Sequence, residues 1–178
     1  KKMKKLIVSL GLALTLSFGS TFDEGVEAAN KGDYKTALTV FEELASKNDA
    51  DAQYGLGVLY NNGYGVKQDY KKAIEWYEKA AVQGHAMAQS NLGSMYNFGH
   101  GVKQDYVEAI KWYLKAADKG YIDAYYNLGL MYEEGLGVRK NIPEAIKWYQ
   151  KAADLGDEES LSAVKELSSK LQIGRAHV

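Results

Sequence analysis

The sequence predicts an all-α protein, an α-solenoid of stacked antiparallel helix pairs. Three observations carry this reading. Trp76, Trp112 and Trp148 recur every 36 residues, and residues 50–85, 86–121 and 122–157 align around them without a gap. Fifteen of the 36 columns hold one residue type in all three units. Within each unit, apolar residues fall at helical spacing on both sides of a glycine pair. A helix pair of this length cannot bury its apolar faces alone, so successive copies must stack.

The elements follow in chain order. Lys1, Lys2, Lys4 and Lys5 precede the uncharged residues 6–18 (LIVSLGLALTLSF), which exit through Ser17-Phe18-Gly19. Thirteen residues span roughly 20 Å as a helix, against about 30 Å for a bilayer core. This order predicts a secretory signal peptide over residues 1–20, cleaved near Gly19–Ser20, with an uncleaved anchor as the alternative. Residues 21–49 read as a helix pair, Phe22–Asn30 and then Tyr34 to Ala45, turned at Gly32.

In the first repeat, Ala52, Leu56, Leu59 and Tyr60 share one face of a first helix, which Gly63-Tyr64-Gly65-Val66 ends. Gly99-His100-Gly101-Val102 and Gly135-Leu136-Gly137-Val138 take its place in the next two. Asp69, Asp105 and Asn141 stand where a second helix needs its N-cap. Glu108 and Glu144, three residues later, predict capping boxes. Pro143 falls in a first helical turn, where its missing N–H is not used. Ala73, Ile74, Trp76, Tyr77, Ala80 and Ala81 form the second helix, closed by Gly84. The recurring Trp and Tyr are expected to fill the space between pairs. Residues 158–171 form an amphipathic, more polar capping helix, and residues 172–178 read like a translated sequencing adapter outside the periodicity.

The quoted motifs resemble Sel-1-like repeats, a 36-residue relative of the tetratricopeptide repeat. Their carriers are A-x-x-x-L-G-x-x-Y, G-x-G-V and D-Y-x-x-A-x-x-W-Y-x-K-A-A with the closing glycine. Residues 21–49 look more like an ordinary tetratricopeptide unit. The resemblance implies a scaffold that binds proteins or peptides, in bacteria often exported to the periplasm or beyond.

Composition narrows the function. Without the four leading lysines, 22 Lys and Arg fall to 18 against 23 Asp and Glu, a net charge near −5. That disfavours nucleic acid and anionic membrane surfaces as partners, and no stable membrane span is expected once the signal is removed. The chain has no Cys, which excludes disulfides, iron–sulfur clusters and thiolate zinc sites. Some cysteine-rich members of the family are described as β-lactamases; the lack of cysteine sets this chain apart from them.

Motifs for chemistry are weak. Gly63-x-Gly65 joins two helices and lacks the strand and third glycine of a dinucleotide loop. Ser162-Ala163-Val164-Lys165 matches S-x-x-K, but no S-D-N or K-T-G element accompanies it. His85 and His100 have no ligating partner at helical spacing, so neither a metal nor a cofactor is expected. The acidic residues read as spread singly, mostly over second helices. No enzyme is expected; an exported hydrolase acting on a β-lactam or cell-wall fragment is the alternative.

A binding surface is expected where the units differ. On the first helices the stripe 51, 54, 58 and 61 varies from unit to unit, away from the Ala52–Leu56–Tyr60 face. In helix-pair solenoids first helices line the concave side, so these stripes would join into a groove. Tyr54 and Tyr126 offer flat amphipathic area, and Met87 offers adaptable apolar surface. Asn61, Asn91, Asn97 and Asn127 carry amides suited to clamping a peptide backbone. Tyr54, Asn61, Met87, Asn97, Tyr126 and Asn127 are the candidate partner-binding residues.

Overall fold

The structure is a computed structural model and describes residues 20–176. The expected signal segment, Ser20 apart, therefore lies outside the described residues. Among the described residues are nine helices and no strand. They are α1 Phe22–Asn30, α2 Tyr34–Ser46, α3 Ala50–Asn62, α4 Tyr70–Val82, α5 Ala86–Phe98, α6 Tyr106–Asp118, α7 Ile122–Glu134, α8 Ile142–Ala153 and α9 Glu158–Ala176. Each packs on the next in chain order, most heavily within the pairs α3/α4, α5/α6 and α7/α8. The solenoid of helix pairs is the fold. The last helix continues past Leu171, because only Gly174 among residues 172–176 is a poor helix former.

The hydrophobic core is segmented, and its segments straddle the repeat boundaries. One cluster joins α4 (Ala73, Tyr77, Ala80) to α5 (Ala88, Leu92, Met95). Its copy joins α6 to α7 through Ala109, Tyr113, Leu128 and Met131. The second helix of one unit and the first of the next thus share a core, which ties the units into one stack. A cluster of the same size around Phe41 closes the N-terminal end, and a smaller one around Tyr149 with Leu167 closes the other.

Within each pair the two helices meet at a Tyr–Gly contact. Tyr77, Tyr113 and Tyr149 are among the largest fully buried side chains. They lie on Gly57, Gly93 and Gly129; a Cβ on Gly93 or Gly129 would sit 2.6 Å from the ring atoms. These helical glycines serve close approach, not a turn. The N-terminal pair uses another ring: Phe41 lies against both Gly25 and Gly55.

The tryptophans lie between successive pairs, as expected, whereas the tyrosines, expected there too, enter their own pairs. Trp76, Trp112 and Trp148 are half-buried, each against the core cluster preceding its own helix. Their outer faces are covered by Lys79 at 4.1 Å, Lys115 at 4.1 Å and Lys151 at 4.5 Å. Adjacent helical residues diverge by about 100°. The tyrosine therefore enters its own pair while the neighbouring tryptophan leans on the preceding unit.

The second glycine of each loop sets the stacking distance. A Cβ on Gly101 (φ +72°) would lie 2.8 Å from the Tyr70 Cβ and 2.9 Å from its carbonyl carbon. Beside this contact Tyr64 stacks on Tyr34 and His100 on Tyr70, both at 4.8 Å between centroids. The caps are as expected: Asp69, Asp105 and Asn141 accept the N–H of Lys72, Glu108 and Glu144 at 3.0–3.1 Å. The capping boxes at Glu108 and Glu144 do not form. The cap N–H of Asp105 and of Asn141 already donates to the carbonyl of Tyr96 and Tyr132, at 2.9 and 2.8 Å. Glu108 and Glu144 bond Lys111 and Lys147 instead. The capping box in the described chain is at Thr21 and Glu24.

Candidate functional site

The first helices α1, α3, α5, α7 and α9 are neighbours along one side of the stack. Phe22 and Val26 on α1 line a cavity with Tyr54 and Val58 on α3. The Tyr126 hydroxyl on α7 donates to Glu159 Oε1 on α9 at 2.8 Å. The six candidate residues all sit on these helices, but they are not equally free. Met87 is exposed, whereas Asn61, Asn97 and Asn127 are half-buried. The backbone carbonyls of Asn61 and Asn97 accept the side-chain N–H of Gln68 and Gln104 at 2.7 and 2.8 Å. The Oδ1 of Asn97 is buried without a hydrogen-bond partner.

Tyr54 and Tyr126 are more than surface residues. Tyr54 lies against the Tyr77 and His85 rings at 5.9 and 4.6 Å, and Tyr126 against Tyr149 at 5.6 Å. Columns that differ between units therefore also carry packing, which the contrast of columns missed. The reason is visible at the three buried tyrosines. The Tyr113 hydroxyl meets Ser94 Oγ at 3.1 Å, and Tyr149 donates to Glu133 Oε2 at 2.7 Å. Tyr77 finds Asn91. One repeated hydroxyl is satisfied three ways, by variable residues of the first helices, because a buried O–H must be paired.

Burial, above all, raises the pKa of Tyr54, Tyr77, Tyr113 and Tyr149 above the ordinary tyrosine value. Burial and then the bond to Glu159 push Tyr126 up to about 12. All five stay neutral hydrogen-bonding groups near pH 7.

The charge on this side is one-signed. Helices α1, α3, α5 and α7 contain no Lys or Arg but carry Asp23, Glu24, Glu27, Asp51, Asp123, Glu133 and Glu134. Acidic residues are thus not confined to the second helices, as expected from sequence; there the lysines offset them. The two ends of the first-helix side differ. Between α1 and α3 a cavity of about 350 Å³ is lined by Phe22, Val26, Tyr34, Tyr54, Val58 and Tyr64. Between α7 and α9 a cavity of about 300 Å³ is lined by Tyr126, Glu133, Glu134, Tyr149, Glu159 and Glu166.

Two larger depressions, about 660 and 500 Å³, lie along the loop edge. Tyr60, Asp69, Tyr70 and Gly101 line the first, and Tyr96, Asp105, Tyr106 and Gly137 the second. Their walls are largely the repeating residues that stack loop on loop, so they are seams of the solenoid.

His85 is a structural residue. Its Nδ1 caps α5 by accepting from Ala88 N–H at 3.2 Å, and its Nε2 faces Asp51 Oδ1 at 3.1 Å. Sequence reasoning singled out Asn91 as a clamping amide, but neither His85 as a cap nor Glu133 and Glu159 as groove residues. For Glu133 the signal was present: α3, α5 and α7 have no cation to balance it.

Comparison with known proteins agrees with this geometry. A sequence model of the Sel1 repeat matches residues 50–85, 86–121 and 122–157. A solved Sel1 repeat protein from Oxalobacter formigenes is 41% identical, with a TM-score of 0.76, over 81% of this chain and 59% of that one. A protective antigen of uropathogenic Escherichia coli, displaying an SLR fold, is 36% identical with a TM-score of 0.67. That match covers 79% of this chain and 34% of the antigen. Cysteine rich protein B of Helicobacter pylori is 27% identical with a TM-score of 0.58, over 73% of this chain and 93% of that one. The chain thus spans about three fifths and one third of the first two proteins. No curated protein matches it.

Proposed function

The chain belongs to the Sel1 repeat family, and from that premise we propose an exported scaffold that binds a protein or peptide partner along the groove lined by the first helix of each repeat. One observation carries the reading. The repeating columns are consumed in Tyr–Gly, loop and core contacts, while nine of the thirteen columns of each first helix vary between units. A stack that needed only to stand would have no use for Met87 exposed there beside the half-buried amides of Asn61, Asn97 and Asn127. Sel1 repeats commonly mediate protein interaction, and these residues fit that use: aromatic area for affinity, amides for a peptide backbone. Export rests on the charged, short-apolar, small-residue order of residues 1–20.

Proximity crosslinking in the exporting cell, followed by affinity measurement of the captured partner, tests the groove. Tyr126→Ala should cost on the order of 1–2 kcal/mol in binding, because aromatic contacts contribute disproportionately to interfaces. Met87→Ala and Asn127→Ala should weaken binding less. Wild-type affinity in the Tyr54→Ala/Tyr126→Ala variant, with binding lost on changing Lys71 or Glu75, would move the site to the second helices. Mass spectrometry of the mature protein tests export; a species retaining residues 6–18 would replace cleavage with an anchor.

A further inference from the structure

The groove's two ends make unlike chemical demands on an occupant. At the α1/α3 end the cavity is walled by Phe22, Val26, Tyr34, Tyr54, Val58 and Tyr64, none of them charged. Gly55 and the Phe41 ring packed on it form part of its floor. Its volume, about 350 Å³, has room for one large apolar side chain.

At the α7/α9 end the walls are acidic. Glu133 and Glu159 are held in place by the hydroxyls of Tyr149 and Tyr126 at 2.7 and 2.8 Å. Glu166 is already paired with Lys170 at 2.6 Å. Among the described residues, no Lys or Arg forms an ion pair with Glu133, Glu134 or Glu159. None of the first helices α1, α3, α5 and α7 supplies a cation either. Fixed carboxylates beside two neutral phenols, on a side with no cation of its own until Lys165 and Lys170 of α9, complement a guanidinium or ammonium.

We propose that the partner is an extended peptide segment bearing a large apolar residue at one end and Lys or Arg at the other. The apolar residue enters the α1/α3 cavity, and the cation reaches Glu133 and Glu159. This rests on the groove reading above and adds the partner's chemistry to it. The two cavities are three helix spacings apart, roughly 25–30 Å at 8–10 Å each. About eight residues of extended chain cover that span.

The test uses the full chain and synthetic ten-residue peptides. One series carries Phe and a pair of Arg eight residues apart in both orders; matched series replace Arg by Glu or Phe by Ala. Fluorescence anisotropy should give at least tenfold tighter binding for an Arg peptide than for its Glu counterpart, weakening as salt rises. Loss of Phe should cost a similar factor. Glu133→Gln/Glu159→Gln keeps the tyrosine hydrogen bonds, and circular dichroism should report an unchanged fold. That variant should bind the Arg peptides about tenfold more weakly and the Arg-free ones as before. Equal binding of Arg and Glu peptides, or no effect of the double variant, overturns the proposal. The crosslinked partner separates this failure from that of the groove: affinity sensitive to Tyr126→Ala but not to Glu133→Gln/Glu159→Gln keeps the groove and discards the cationic partner.

Discussion

Trp112 and Tyr113 are neighbours in sequence and equally invariant across the three units, yet they serve two different seams. Tyr113 is 1% exposed and lies on Gly93 inside its own helix pair. Trp112 is half-buried against the preceding core, with Lys115 over its ring and its Nε1 buried without a partner. The seam inside a pair is closed, glycine-backed and hydrogen-bonded; the seam between pairs is open on one side. Identity across repeats reports that a position is needed. It does not report which seam needs it.

The largest effect should come from the closed seam. Tyr113→Ala removes a fully buried ring from a contact that glycine backbone cannot collapse to fill, and should cost about 3–5 kcal/mol. Urea unfolding is the measurement. The open seam should lose less: Trp112→Ala should cost on the order of 2–3 kcal/mol, since part of its area is already wet. A larger loss at Trp112 than at Tyr113 would reverse the ranking of the two seams.

The closed seam carries buried phenols. Burial raises the folded-state value of Tyr77, Tyr113 and Tyr149 above the ordinary value near 10. The stability linked to each is fully present below pH 10 and is lost as pH rises from there through the folded-state value. Tyr113→Phe should therefore flatten the alkaline limb of stability against pH, followed by urea midpoints between pH 9 and 11. An unchanged limb would mean that Tyr113 ionises as readily folded as unfolded.

The fold was legible because its information is repeated: three gapless copies expose helix, glycine loop and helix at once. Local contacts within one turn were also legible, as at Asp69, Asp105 and Asn141. What failed depended on partners far along the chain. The capping boxes failed because Tyr96 and Tyr132 carbonyls, nine residues upstream, take the cap N–H groups first. The tyrosines were expected between pairs rather than inside them because periodicity gives the angle of a residue on its helix, not which neighbouring helix covers it. At the candidate site, the first-helix location was readable from column variation. The packing of Tyr54 on Tyr77 and His85 was not, because varying columns looked free of obligation. Ser94, Asn91 and Glu133 vary in type while each meets one of the same three hydroxyls.

The smallest effect gives the sharpest comparison, because it changes chemistry with little change in shape. Tyr113→Phe deletes a hydroxyl that meets Ser94, and at pH 7 should cost about 1 kcal/mol, the usual net worth of one hydrogen bond. Trp112→Phe deletes an N–H that has no partner. It forfeits part of a ring and some attraction to Lys115, which costs stability. It also removes a buried donor whose lost hydration nothing offsets, which restores some. The two contributions oppose, so the net change should fall within about 0.5 kcal/mol of zero. Measured side by side in urea, the tyrosine substitution should be the costlier, although it removes one atom and the tryptophan substitution removes several. If Trp112→Phe instead costs more than 1.5 kcal/mol, the indole is a closed, fully engaged contact, and the distinction between the two seams fails.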